Sequence, residues 1–182
     1  MFDFQPHLTG ELIDLQPAIE ADFEPLFAVA SDPEIWAQHT VRDRWKEDVF
    51  RKNFDDALAD QGGMVARERA TGDVVGFSRF SQMFVGPDDM EIGWTFLARR
   101  LWGGRYNRDM KRSMLAHVLA TFPRALFRVA EDNPRSRRAM EKIGGRLIDW
   151  HATIEYGGVS HPYIAYEITR EIFANGGFET PR

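Results

Sequence analysis

Two adjacent glycines, Gly103 and Gly104, mark the stretch of this chain whose residue types could do chemistry on an anion. An apolar run at residues 90–97 leads into them, and a helical pattern at residues 106–122 follows. Adjacent glycines let the backbone come close to a ligand, and the first turn of a helix presents unpaired amides with partial positive charge. A strand, a glycine turn and a helix N-terminus in this order predict an anion-binding site.

The first turns of the predicted helix carry four cations: Arg105, Arg108, Lys111 and Arg112. Such cations oppose the helix dipole and each other, at a cost of about 0.3–1 kcal/mol each. A bound polyanion would reverse that cost, and a solvated basic face on an ordinary helix is the alternative interpretation. Segment 99–146 carries 13 Lys/Arg against 4 Asp/Glu, whereas the rest of the chain carries 10 against 24. This asymmetry favours a localised anionic ligand over a nucleic-acid surface.

Composition limits the class of protein. The chain has 182 residues, of which 43% are hydrophobic and 28% charged, which suits one domain with a sizeable core and argues against disorder. Cysteine does not occur in the sequence, which excludes disulfides and thiolate chemistry. The sequence shows neither a signal peptide nor a run long enough to span a membrane. We therefore expect a cytoplasmic protein that contacts no membrane.

Hydrophobic periodicity predicts one mixed α/β domain over residues 1–175, followed by a flexible tail at residues 176–182. The predicted strands are residues 11–16, 64–69, 74–82, 90–97, 125–130, 146–156 and 160–168. The predicted helices are residues 19–30, 34–39, 45–59, 106–122, and one that begins with Asn133 as its cap and stops at Gly144. A buried stripe is predicted on the 106–122 helix: Met110, Met114, Leu115, Val118, Leu119 and Phe122. Because that helix connects them, strands 90–97 and 125–130 should lie parallel.

Two motifs carry a resemblance to a known family. The first is Glu91-Ile-Gly-Trp followed by Leu101-Trp-Gly-Gly-Arg-Tyr, and the second is Asn133-Pro-Arg-Ser-Arg-Arg-Ala-Met-Glu-Lys-Ile-Gly144. Correctly spaced and in the matching elements, they resemble the GNAT acetyltransferase superfamily. The resemblance is greatest to its Rim-type branch, which is named for enzymes that acetylate protein N-termini. The order of elements matches that family over nearly the whole chain.

The resemblance implies a GNAT acyl-CoA N-acyltransferase fold. This is a mixed sheet of about seven strands with four to five helices, opened into a V between two central parallel strands. It implies acetyl-CoA as cosubstrate and no metal. It assigns cofactor contacts to Phe96, Leu97, Trp102, Gly103, Gly104, Arg105, Tyr106, Asn107, Arg108, Asn133 and Arg137. The family's phosphate loop reads Gln/Arg-x-x-Gly-x-Gly/Ala, and this chain departs from it. When the loop is aligned on Trp102, Arg105 and Asn107 replace the small residues. When it is aligned on Arg100, Gly103 fits the pattern and Arg105 replaces the final small residue.

The implied chemistry is direct attack of a neutral amine on the thioester carbonyl in a ternary complex. By resemblance, the amide of Leu97 polarises that carbonyl and Ser136 protonates the departing thiolate, while Glu91 is a candidate to accept the amine proton. Met140 stands where many family members have a tyrosine. Two alternatives stay open: Ser136 as a helix-capping residue, and Glu91 as a strand carboxylate paired with an arginine.

The acceptor pocket should be built from residues 23–59 and 146–168, which are variable elements in this family. The side chains that could face the acceptor, each with a packing role as its alternative, are Trp36, His39, His151 and Tyr156.

We therefore expect an N-acetyltransferase acting on a primary amine, such as a peptide N-terminus, an amino sugar, a polyamine or another small amine. The acidic remainder of the chain suits a cationic acceptor. The alternative is a non-catalytic acyl-CoA sensor or scaffold. Nucleic-acid binding is disfavoured because aromatic residues do not interleave with the basic ones. The resemblance also allows a homodimer.

Overall fold

A mixed eight-stranded sheet organises the computed structural model, which describes residues 1–175. Its strands are β1 Leu8–Thr9, β2 Ile13–Pro17, β3 Gly63–Glu68, β4 Val74–Ser81, β5 Asp89–Leu97, β6 Arg124–Ala130, β7 Arg146–Tyr156 and β8 Val159–Thr169. Across the sheet they lie in the order β1-β2-β3-β4-β5-β6-β8-β7. β5 and β6 are parallel, and the other neighbouring pairs in residues 1–175 are antiparallel. The predicted mixed α/β class is confirmed, with β1 as an added strand too short to show a period.

Helices and short helical turns surround the sheet. They are α1 Phe23–Ala30, α2 Pro33–Trp36, α3 Glu47–Ala59, α4 Tyr106–Thr121, α5 Pro134–Lys142 and α6 Arg170–Ala174, with 3-10 turns at Glu20–Asp22 and Arg99–Leu101. The sequence predicts neither α6 nor the turn at Arg99–Leu101, because segments this short show no hydrophobic period. None of the helices in residues 1–175 is both long enough and apolar enough to cross a bilayer. The tail expected at residues 176–182 lies outside the described residues.

The core consists of two apolar clusters on opposite faces of the sheet. Consecutive residues of β3 alternate between them, since Met64 and Ala66 belong to the first cluster and Val65 to the second. α4 packs on the first face, and its predicted stripe is confirmed as buried in that cluster. α1 and α3 supply aromatic side chains to the second face. Helices therefore pack on both faces of the sheet, and this packing fixes the positions of the strands that form the site.

β5 and β6 separate soon after they pair. Their parallel register covers three residue pairs and ends at Glu91 opposite Leu126, although both strands continue. This divergence is the V that the family resemblance implies. On its other edge β5 carries a bulge against β4, where Trp94 has a φ of 51°. A left-handed conformation is strained for a tryptophan, so the surrounding packing must hold the bulge in place.

Candidate active site

A cleft of about 830 Å³ passes through the V. Residues 92–97 of β5 and 127–130 of β6 form its walls, and the cleft continues past the N-termini of α4 and α5. This volume lies in the range of small-molecule sites. Nine of the expected cofactor residues line it: Phe96, Leu97, Trp102, Gly103, Gly104, Arg105, Asn107, Arg108 and Asn133. The side chains of residues 1–175 line the space between the strands without filling it.

Two of the expected cofactor residues, Tyr106 and Arg137, are not among the residues that line the cleft. The Tyr106 hydroxyl donates to Glu68 at 2.7 Å, and Arg100 binds the same carboxylate at 2.6 Å. Arg137 donates to the carbonyl of Glu131 at 3.3 Å. Tyr106 therefore anchors the glycine loop, and Arg137 anchors the start of α5.

The glycine loop has regular backbone geometry at the position where it departs from the family pattern. Gly103 has a φ of 72°, in the left-handed region where a side chain would be strained. Arg105, which precedes α4, has φ −80° and ψ −14°, which any residue adopts. Within residues 1–175 no side chain caps the first amides of α4, so they remain available to a ligand. The departure at Arg105 therefore does not distort the backbone at the start of α4.

Charge at this end of the cleft is predominantly positive. The cations that line it are Arg105, Arg108, Arg112, Arg138 and Lys142. Two carboxylates, Glu11 and Asp109, also line it. Asp109 is occupied, since it accepts the amides of Glu11, Leu12 and Ile13 at 2.8–2.9 Å and so ties the start of β2 to α4. An anion at the N-terminus of α4 would meet helix amides and guanidinium groups together.

Lys111 does not belong to this cationic group, which corrects the interpretation of it as a phosphate-facing residue. It is 1% exposed. Its Nζ lies 2.6 Å from Thr95 Oγ1 on β5 and 5.5 Å from the centre of the Phe127 ring on β6. The amine therefore sits between the diverging strands, and it also lines the cleft. Burial lowers the pKa of Lys111 to about 7.

The backbone of Leu97 is turned towards the V. Its neighbour Ala98 donates its amide to the Val75 carbonyl on β4 at 2.8 Å. Because backbone groups alternate in direction along an antiparallel strand, the N–H and carbonyl of Leu97 point away from β4. Trp102 Nε1 donates to that carbonyl at 2.9 Å, which fixes the end of the strand.

α5 presents a hydroxyl to the cleft. Asn133 Oδ1 accepts the amide of Ser136 at 3.0 Å, which confirms Asn133 as the helix cap. The cap uses one acceptor of this buried side chain and leaves its NH2 group as a donor. Ser136 and Met140 lie four residues apart, on one face of α5, and both line the cleft.

Glu91 forms a buried ion pair. Arg128 Nε donates to Glu91 Oε1 at 2.9 Å, and their side chains are 9% and 3% exposed. The other oxygen, Oε2, has no hydrogen-bond partner among the described residues. Burial raises the pKa of Glu91, and the Arg128 and Arg79 charges oppose that rise. Arg128 lines the cleft whereas Glu91 does not.

The opposite end of the cleft is formed by the segment after α2 and by β8. His39 Nδ1 accepts the Val41 amide at 2.9 Å, and burial together with the Arg44 charge lowers the pKa of His39 to about 3. His39 is therefore neutral at any physiological pH. Thr40 and Tyr163 share a hydrogen bond of 2.8 Å through their hydroxyls, and both line the cleft.

An arginine bridges α5 and α2 beside this end. Arg135 donates to the Ile35 carbonyl at 2.6 Å, and its guanidinium lies 4.3 Å from the centre of the Trp102 ring. Sequence reasoning missed Arg135, Thr40 and Tyr163, because their contacts join residues about a hundred positions apart. The predicted acceptor residues Trp36 and His39 line the cleft.

The other two candidate acceptor residues, His151 and Tyr156, are not among the residues that line the cleft. His151 lies beside Asp149, and Tyr156 donates to Asp43 at 2.8 Å.

Comparison with known proteins identifies the family. A family model described as "Acetyltransferase (GNAT) domain" matches residues 13–146. The chain belongs to the GNAT acetyltransferase family. This GNAT protein is therefore an acetyltransferase, and the donor used by its family is acetyl-CoA. A search of curated proteins found no match.

Solved structures share the fold of this GNAT protein at low sequence identity. A probable GNAT-family acetyltransferase from Chromobacterium violaceum has a TM-score of 0.83 at 17% identity, over 96% of this chain and 91% of that chain. RimJ from Mycobacterium smegmatis, solved with CoA-disulfide, has a TM-score of 0.71 at 18% identity, over 94% and 91%. Spermidine N-acetyltransferase from Vibrio cholerae, solved with CoA and spermine, has a TM-score of 0.68 at 14% identity, over 90% of this chain and 99% of that chain. These likenesses show the fold alone.

Proposed function

We propose that this protein transfers the acetyl group of acetyl-CoA to a primary amine by direct attack in a ternary complex. One observation carries the proposal: a single cleft runs through the V from the uncapped, cation-lined N-terminus of α4 to the end lined by His39, Thr40 and Tyr163. The phosphates of a nucleotide thioester would bind at the cation-lined N-terminus of α4. The acceptor would bind at the other end of the cleft. The two reactants would then meet between β5 and β6, where positioning and fixed dipoles supply most of the catalysis.

The backbone and α5 offer groups for the transfer step. The Leu97 amide is oriented away from β4, which supports its role as the donor that polarises the thioester carbonyl. Ser136 is the proton donor we propose for the leaving thiolate, because its side chain lines the cleft on the same face of α5 as Met140. Met140 itself carries no proton that it could give.

Charge at the acceptor end bears on the choice of amine. In the described residues the cleft is lined by two carboxylates, and both lie beside the start of α4. A polyamine would bring several cations to an acceptor end without a carboxylate to pair with them. This favours an acceptor with a single amine, such as a peptide N-terminus, which is also the acceptor of the Rim-type branch.

The experiment that tests this function measures thiol release from acetyl-CoA over a panel of amines. The panel contains peptides with free and blocked N-termini, amino sugars and spermine. We expect release with the free peptides, and little with blocked peptides or spermine. Acetyl-CoA binding without release for any amine would favour an acyl-CoA sensor instead, to which the replacement of a tyrosine by Met140 lends support.

A Ser136→Ala variant tests the proton donor. We expect kcat to fall by about a hundredfold, the low end of general acid contributions, with the dissociation constant for acetyl-CoA unchanged. The measurement is steady-state thiol release from pH 6 to 9, alongside calorimetry. Because Asn133 caps the amide of residue 136 and not its hydroxyl, the helix should remain folded. A kcat within twofold of wild type over the whole pH range would contradict the assignment.

A further inference from the structure

Lys111 is a buried amine for which the reaction described so far gives no role. It lies three, four and seven residues before Met114, Leu115 and Val118, so it shares the face of α4 that packs on the sheet. Its side chain ends between β5 and β6 instead of in the apolar cluster. Burying an amine in this way is costly unless its charge is lost or matched.

No carboxylate within residues 1–175 lies at ion-pair distance from Lys111, and burial alone lowers its pKa. The charged and titratable groups on the surrounding elements have other partners. These groups are Arg79, Glu91, Arg108, Asp109, Arg112, Arg128, His39 and Tyr163. The amine is therefore held in the V by hydroxyl groups and by an aromatic ring.

The hydroxyl contacts orient the nitrogen. Nζ lies 2.6 Å from Thr95 Oγ1 and 3.3 Å from Ser78 Oγ, and those two hydroxyls share a hydrogen bond of 2.8 Å. A neutral amine has two N–H groups and one lone pair. When both N–H groups donate to the hydroxyls, the lone pair is left for a third direction, and Lys111 is one of the residues that line the cleft.

We propose that Lys111 accepts, through water in the cleft, the proton that the acceptor ammonium must lose before it can attack. This inference rests on the proposed N-acetyltransferase function. Two other groups are poorly suited to the task. The His39 Nδ1 lone pair is taken by the Val41 amide. Glu91 is bound to Arg128 and does not line the cleft.

The proton and electron balance closes without another reactant. One proton passes from the ammonium to Lys111 Nζ, and the freed lone pair forms the bond to the acetyl carbon. The carbon–sulfur bond breaks with its electron pair on sulfur. The second proton lost by the nitrogen passes through water to the Ser136 oxygen as that hydroxyl gives its own proton to the departing thiolate, so Ser136 ends the cycle protonated. Lys111 then returns its proton to solvent.

Two variants separate proton transfer from structure. Lys111→Met removes the amine, and Lys111→Gln keeps a donor for Thr95 but accepts no proton at neutral pH. Lys52→Met, on the exposed face of α3, is the matched control. We expect wild-type kcat to rise with pH through about 7, because the neutral amine is the active form. Both Lys111 variants should lose this rise of kcat with pH. Their kcat should also be at least about a hundredfold lower, with acetyl-CoA binding retained.

A second measurement needs neither activity nor a variant that folds. The chain has four lysines, and the other three, Lys46, Lys52 and Lys142, are exposed. Carbon NMR of wild-type protein labelled at the lysine ε-carbons should show one titration midpoint near 7 and three well above it. Four midpoints near the ordinary lysine value would overturn the proposal.

The outcomes separate this proposal from the function on which it rests. Suppose that the wild type releases thiol and that either Lys111 variant keeps both the rise of kcat with pH and a kcat within threefold of wild type. Lys111 is then not the proton acceptor, but the acetyltransferase function stands. Recovery in Lys111→Gln alone would show a positioning role through Thr95 and would also overturn the proposal. If the wild type releases no thiol with any amine, both fall together.

Discussion

Replacing Arg128 by alanine should lower the free energy of unfolding by about 3–5 kcal/mol, because it removes one partner of a buried ion pair. Glu91 would be left with neither oxygen paired, since Oε2 already has no hydrogen-bond partner among residues 1–175. Denaturant unfolding at pH 7 measures the loss. Lys52→Ala, in an exposed pair with Asp56, is the control and should cost well under about 1 kcal/mol.

The loss should also depend on pH. Burial already raises the pKa of Glu91 above its ordinary value of 4.5, and removing Arg128 takes away the leading opposing charge. A raised carboxyl pKa means that the folded state binds more protons than the unfolded state. The contribution of Glu91 to the stability of Arg128→Ala is then greatest at acidic pH and falls as pH rises from 4.5 through the raised pKa, so the loss relative to wild type grows over that range. A pH-independent loss, or one under about 1 kcal/mol, would show that the pair is not desolvated.

The Arg105→Ala/Arg108→Ala variant should bind acetyl-CoA about a hundredfold more weakly. Each guanidinium at the start of α4 is expected to make a charge-assisted contact with phosphate worth roughly 1.5 kcal/mol or more, and 1.4 kcal/mol is a tenfold change in affinity. Titration calorimetry at fixed ionic strength measures the effect. Arg51→Ala/Lys52→Ala on α3 removes the same charge away from the cleft and should leave the affinity unchanged.

A pantetheine fragment without phosphate distinguishes a local role from a global one. It should bind the wild type and the Arg105→Ala/Arg108→Ala variant equally, because it never reaches the anion end. An equal loss of affinity for the fragment and for acetyl-CoA would contradict the phosphate role. It would point instead to a distorted V.

Hydrophobic periodicity is sufficient to predict the elements that build the site. The stripe on α4 lies in the first core cluster, and so do Met90 and Ile92 of the run at residues 90–97, so their spacing reflects the packing directly. The parallel pairing of β5 with β6 follows from the connecting helix and the handedness of such connections. β1 and α6 could not be predicted, since two and five residues are too few to show a period.

Lys111 shows where residue type and position conflict. Charge and closeness to the glycine loop suggest a phosphate contact, yet its spacing to Met114 and Leu115 places it on the buried face of α4. That spacing is the signal in the sequence that could have separated it from Arg108 and Arg112. Its final place between two strands depends on how far β5 and β6 diverge, which local sequence does not encode.

The contacts at the acceptor end of the cleft could not be predicted from the sequence. Thr40 meets Tyr163 across 123 positions, and Arg135 meets Ile35 across 100. These contacts depend on how the segment after α2 packs against β8 and α5. Loop packing of this kind follows no repeat that a sequence pattern can reveal.

Titration calorimetry of the wild-type protein with acetyl-CoA tests the central claim most directly. If the cleft between β5 and β6 is a site for a nucleotide thioester, binding should be saturable at micromolar concentrations with about one site per chain. Binding should also weaken as salt is raised, because cations supply part of the affinity. The absence of measurable binding below the millimolar range would contradict the assignment of this cleft.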